Sequence, residues 1–121
     1  MSDAAIMTRD AQDGSAIDRG HLARMTFGDR SLEREVLQLF DRQATMLMAR
    51  IRAGNPAAIA SLAHTLKGSA AGIGASAVAR SADAAELAAS GPTSECSQAI
   101  DRLASAIDEA RALIAELLRE G

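Results

Sequence analysis

At 121 residues with a formal net charge of −3, the chain has the size of one domain, for which folding buries roughly two thirds of the surface that the unfolded chain exposes. Hydrophobic residues make up 48% and charged residues 24%, close to ordinary globular usage, which argues against disorder throughout. The negative balance repels a phosphate backbone, and two phenylalanines without Trp or Tyr leave little for bases to stack on, so nucleic acid is not an expected partner.

Alanine is the commonest residue and there are only 2 prolines, both at segment boundaries, a bias that favours helix over strand. Cys96 stands alone, so an intrachain disulfide or a four-cysteine metal site is not expected, and a reducing compartment is the simpler expectation. No apolar run approaches membrane-spanning length and the first residues fail the signal-peptide pattern, which points to a cytoplasmic protein with no membrane association.

Residues 1–15 carry no sustained periodicity and read as a flexible leader, with the bundle domain spanning 16–121. A short helix follows, with Ile17 and Asp18 as staple and cap, Leu22 and Met25 turned inward, and Gly28 ending it. Asp29 caps a longer helix whose apolar positions are Leu32, Val36, Leu39, Phe40, Leu47 and Ile51, and Gly54 stops it. Asn55-Pro56 restarts the chain: Asn accepts from the first free amides, and proline at the first helical position loses no hydrogen bond. The next helix keeps Ile59, Leu62, Leu66, Ala70 and Ile73 in one stripe, and Gly74 closes it. Ser76 is expected to cap an alanine-rich helix running to about Ser90. After the Gly91-Pro92 turn, Thr93 or Ser94 is expected to cap a last helix with Ile100, Leu103, Ile107, Ile114, Leu117 and Leu118 inside. Four long amphipathic segments on short loops predict an all-α fold, an antiparallel up-and-down four-helix bundle with a short additional N-terminal helix capping one end.

At about 100° per residue, His64 falls about 150° from the centre of the stripe formed by Ile59 to Ile73, so its imidazole is expected to face solvent. Ser61, Gly68, Ala71 and Gly72 share roughly that outward face. A glycine inside a helix costs about 1 kcal/mol relative to alanine, so two of them in a chain that uses alanine freely imply that something favours bare backbone there. Gly68 lies one turn beyond His64, where a methyl group would narrow the approach of another protein or of a phosphoryl group. Lys67, three residues from His64, can bring its ammonium to the same spot and offset negative charge. Without such neighbours a lone histidine on a helix is ordinarily just a surface residue, as His21 is expected to be, and Lys67 would be a plain solvated charge.

The run His64-Thr65-Leu66-Lys67-Gly68-Ser69-Ala70, continuing through Ile73 and Gly74 to Ala75, resembles the signature of histidine-containing phosphotransfer (HPt) domains. The Ile17-Asp18 start, the Gly28-Asp29 pair, the long helix containing Phe40 and the turn at Gly54-Asn55 extend the likeness over roughly residues 17 to 119. The resemblance implies that His64 is the phosphoacceptor, Lys67 its electrostatic helper and Gly68 the clearance residue. It also implies that Glu86, on the following helix, bonds the ring nitrogen that does not react, where the family often has Gln or Glu. The expected partners are receiver domains of response regulators and hybrid histidine kinases: one aspartyl phosphate donates the group and a second receiver aspartate takes it. The carrier itself is expected to be a monomer.

The chemistry fits those residue types. Imidazole is a nucleophile at cellular pH without a buried base, and phosphoryl transfer depends mainly on positioning and charge neutralisation. No cofactor or metal of its own is expected, the divalent cation belonging to the receiver partner. The absence of a Gly-x-x-x-x-Gly-Lys loop or recognisable ATP-binding block predicts a carrier and not an enzyme with a kinase site. Two other readings compete: a non-catalytic helical scaffold or dimerising module that has kept the motif, and the phosphoacceptor segment of a larger histidine kinase, fed directly from a kinase ATP domain. The mixed charges of the second helix, Arg30 to Arg52, read as its wet face, and one of Met46 and Met48 is as readily exposed as buried.

Overall fold

The computed structural model describes residues 16–120, which form five helices and no strand. These are α1 (Arg19–Met25), α2 (Arg30–Ala53), α3 (Pro56–Gly72), α4 (Ser76–Ala88) and α5 (Thr93–Glu120). The expected leader, residues 1–15, lies outside the described residues, as does residue 121. No described helix is long and apolar enough to cross a membrane.

Local chemistry sets the helix starts. The side chains of Asp18, Asp29 and Asn55 accept from the backbone N–H groups of His21, Leu32 and Ala58, each satisfying one of the donors that a helix N-terminus leaves free. Ser76 does not cap α4. The cap position is Ala75, which has no side-chain acceptor, and the Ala75 carbonyl instead accepts from the Ala79 N–H. In the same way the Pro92 carbonyl accepts from Cys96 N–H at the start of α5, so that Thr93 is its first residue and not its cap.

The long helices enclose one core. α2 packs on α3 and α5, α3 on α4, and α4 on α5. Leu37, Phe40, Leu47, Met48 and Ile51 of α2 are buried, as are Ile59 and Leu66 of α3, Val78 of α4, and Leu103, Ile107, Ile114 and Leu117 of α5. Two expected inward residues of α2 point elsewhere: Leu32 is exposed and Leu39 is 58% exposed. Their phase explains this, since both lie more than about 100° from the centre of the Leu37, Phe40, Ala44, Leu47 and Ile51 stripe. Met25 is exposed as well, whereas Leu118 is partly buried against the core. Of the two methionines in α2, Met48 is buried and Met46 exposed.

α1 is tied to the end of α3. Gly74 has φ +80, a left-handed conformation that ends the helix, and its carbonyl accepts from Asp18 N–H at 2.8 Å. A Cβ on Gly74 would lie 3.0 Å from the Asp18 carbonyl oxygen, so glycine also makes this close approach possible. His21, expected to be free on the surface, is half-buried, and its Nε2 donates to the Gly72 carbonyl at 3.2 Å. The phase of its own helix gives no hint of this, because the partner is a backbone atom 51 residues away.

Candidate functional site

Ala63 and Leu66 are fully buried, which fixes the rotation of α3 about its axis and turns the intervening His64 outward. The His64 side chain is 66% exposed. α4 is oriented in the same way by Val78, Ala82 and Ala85, all fully buried, leaving Asp83 and Glu86 on one flank, three residues apart and therefore one above the other. That flank meets α3. The resulting cluster has His64 and Lys67 from one helix opposite Asp83 and Glu86 from the other.

The Glu86 carboxylate lies against the histidine ring, with its two oxygens 3.2 and 3.1 Å from His64 Nδ1. An ionised carboxylate only accepts hydrogen bonds, so Nδ1 carries the ring proton and donates it, and the lone pair of the neutral imidazole is on Nε2. The hydrogen bond from His64, reinforced by Lys67, holds the Glu86 carboxyl below its ordinary range despite some opposing desolvation. A carboxylate with a depressed pKa contributes most above its ordinary titration range and loses that contribution as pH falls through the lowered value, so the Nδ1 contact persists throughout the neutral range.

Lys67 Nζ donates to Asp83 Oδ1 at 3.0 Å and lies 3.3 Å from Glu86 Oε1. Its pKa is raised above the ordinary lysine value, first by the hydrogen bond to Asp83 and then by that to Glu86. The ammonium therefore stays charged well into the alkaline range. Glu86 joins the two halves of the cluster, touching both the histidine and the lysine.

At Gly68 and Gly72 an added Cβ would meet nothing within 4 Å. Among the described residues no packing requires glycine at either position, in contrast to Gly74. Ser61, Thr65, Gly68 and Ala71, on the same helix as His64, are exposed and none of them carries a large side chain.

The four residues singled out in the sequence, His64, Lys67, Gly68 and Glu86, lie close together on the surface, with Glu86 in contact with both the His64 ring and Lys67. Asp83 was not singled out. The one signal for it was its spacing of three from Glu86 on the same helix, which matters only once the lysine is also considered in need of a counter-charge. Among the described residues no group of three or more His, Cys, Asp or Glu side chains is arranged to hold a metal ion. Comparison with known families finds that the Hpt domain model matches residues 34–113, a span running from α2 into α5 that includes the whole cluster. No curated protein and no solved structure gave a match.

Proposed function

The chain belongs to the Hpt domain family, and from that premise we propose that it is a phosphocarrier in which His64 Nε2 accepts a phosphoryl group from a receiver-domain aspartyl phosphate and passes it to another receiver. Membership implies involvement in histidine phosphotransfer within two-component phosphorelays, and Hpt domains are carrier modules and not kinases. The observation that carries the residue assignment is the Glu86 carboxylate on Nδ1 of an exposed ring, which leaves the nucleophilic lone pair on Nε2.

In the proposed step the Nε2 lone pair forms the N–P bond as the aspartyl P–O bond breaks, and that electron pair leaves with the receiver's carboxylate. The Nδ1 proton stays in its hydrogen bond to Glu86, whose charge offsets the positive charge of the phosphorylated imidazolium. Lys67 attracts the phosphoryl oxygens, and bare backbone at Gly68 lets the receiver's aspartate approach. Discharge to the second receiver is the same step reversed. No cofactor is assigned to the carrier, and the divalent cation is assigned to the receiver partner. The same reading takes the protein as a cytoplasmic monomer and its long helices as an antiparallel up-and-down four-helix bundle, an arrangement supported by the pairings of α2 with α3 and α5 and of α4 with α3 and α5.

The test is to mix the purified protein with a phosphorylated receiver domain. Wild type acquires an acid-labile phosphoryl group and His64→Gln acquires none. Full labelling of the variant, or no labelling of wild type by any of a panel of receivers, would reject the assignment.

A further inference from the structure

We propose that Asp83 is a positioning residue that sets how tightly the carrier holds its phosphoryl group, acting through its contact with Lys67 and not on the histidine. This rests on the phosphocarrier reading above. Lys67 is the cation of the cluster, and its shortest contact is the 3.0 Å bond to Asp83, whereas Glu86 lies at 3.3 Å. Asp83 makes no contact with His64; the ring's carboxylate partner is Glu86. One positive charge is therefore shared between two carboxylates before any phosphoryl group arrives.

By analogy with other phosphorylated side chains, the incoming group brings a charge of roughly −1.5 to −2 at neutral pH. With the Asp83 carboxylate bonded to it, Lys67 meets that group already partly neutralised. Asp83 thus weakens the hold of Lys67 on the phosphoryl group and favours its onward transfer. Replacing Asp83 with its uncharged isostere leaves Lys67 anchored by Glu86, so the ammonium stays in place but is freer to neutralise the phosphoryl oxygens. The Asp83 side chain is 50% exposed and that of Lys67 33%, so solvent limits the effect to that of a surface pair.

The experiment measures the equilibrium partition of phosphoryl group between His64 and a receiver aspartate, using the full chain and one purified receiver. Asp83→Asn is expected to shift the partition toward phosphorylated His64 by roughly 1.4- to 5-fold, the range for exposed ion pairs. Asp83→Glu restores the wild-type value, the Asp83→Asn shift shrinks as salt is raised, and it disappears when Lys67 is replaced by Met in both proteins. Labelled wild type with no shift in Asp83→Asn overturns this inference alone, as does an equal shift with and without Lys67. Wild type that takes no label from any receiver overturns the carrier reading as well, so the two failures are told apart.

Discussion

Where α3 and α4 turn toward the core they present mostly methyl groups, Ala63 and Ala70 from one and Ala82 and Ala85 from the other, with Ile59, Leu66 and Val78 as the larger exceptions. α2 and α5 fill the core with Leu37, Phe40, Leu47 and Ile51 and with Leu103, Ile107, Ile114 and Leu117. The helix pair with small buried residues carries the site, and the pair with large ones supplies most of the apolar bulk. Two helices with alanine between them can approach closely enough for short acidic side chains on one to reach a histidine and a lysine on the other. A leucine-filled interface would hold those backbones farther apart. On the carrier reading, function and stability thus draw on different residues within a single core.

That division can be broken from either side. The largest expected effect is at the bulky end: Leu103 is fully buried, and Leu103→Ala removes its packing and leaves a cavity, at a cost of roughly 2–5 kcal/mol. Denaturant unfolding measures the loss, while phosphoryl uptake per folded molecule is expected to stay near wild type because no site residue has moved. The opposite change, adding volume at the small-residue end, is expected to cost less stability and more function. Ala82 is also fully buried, on the helix that carries Asp83 and Glu86, and Ala82→Leu is expected to cost about 1–3 kcal/mol by overpacking while shifting α4 from its place in the core. The His64 to Glu86 contact should then lengthen, seen as a change in the His64 ring nitrogen resonances and as slower phosphoryl uptake. An Ala82→Leu protein with an intact contact and wild-type uptake would show that close approach of the two backbones is not what builds the site.

The sequence was most informative where one helix decides the outcome. Capping at Asp18, Asp29 and Asn55 is local chemistry, and the outward turn of His64 follows from the phase of its own stripe, so both were legible. Leu39 is exposed because its phase takes it off the α2 stripe, whereas the exposure of Met25, three residues from the buried Leu22, does not follow from the phase of α1. Features that depend on two elements meeting were harder. Glu86 was reached through family likeness, whereas Asp83 against Lys67 and His21 against the Gly72 carbonyl depend on how neighbouring elements are placed, which no spacing within one helix encodes.

Gly68 gives the smallest effect on stability and the sharpest separation of the two roles. Its backbone is not in the left-handed region, it sits inside α3, and among the described residues a methyl group there would meet nothing within 4 Å beyond the backbone of its own helix and its chain neighbours. Nothing in the fold opposes alanine, which is the better helix former and leaves the unfolded chain less conformational freedom to lose. Gly68→Ala is therefore expected to stabilise the protein by about 0.4–1 kcal/mol. On the carrier reading the same methyl group stands beside the path of the receiver's aspartate, so the rate of phosphoryl uptake falls although the His64 to Glu86 and Lys67 to Asp83 contacts remain. Unfolding midpoints and uptake rates measured on one preparation test both halves. A more stable variant that transfers at the wild-type rate would show that bare backbone at this position serves neither the fold nor the docking of a receiver.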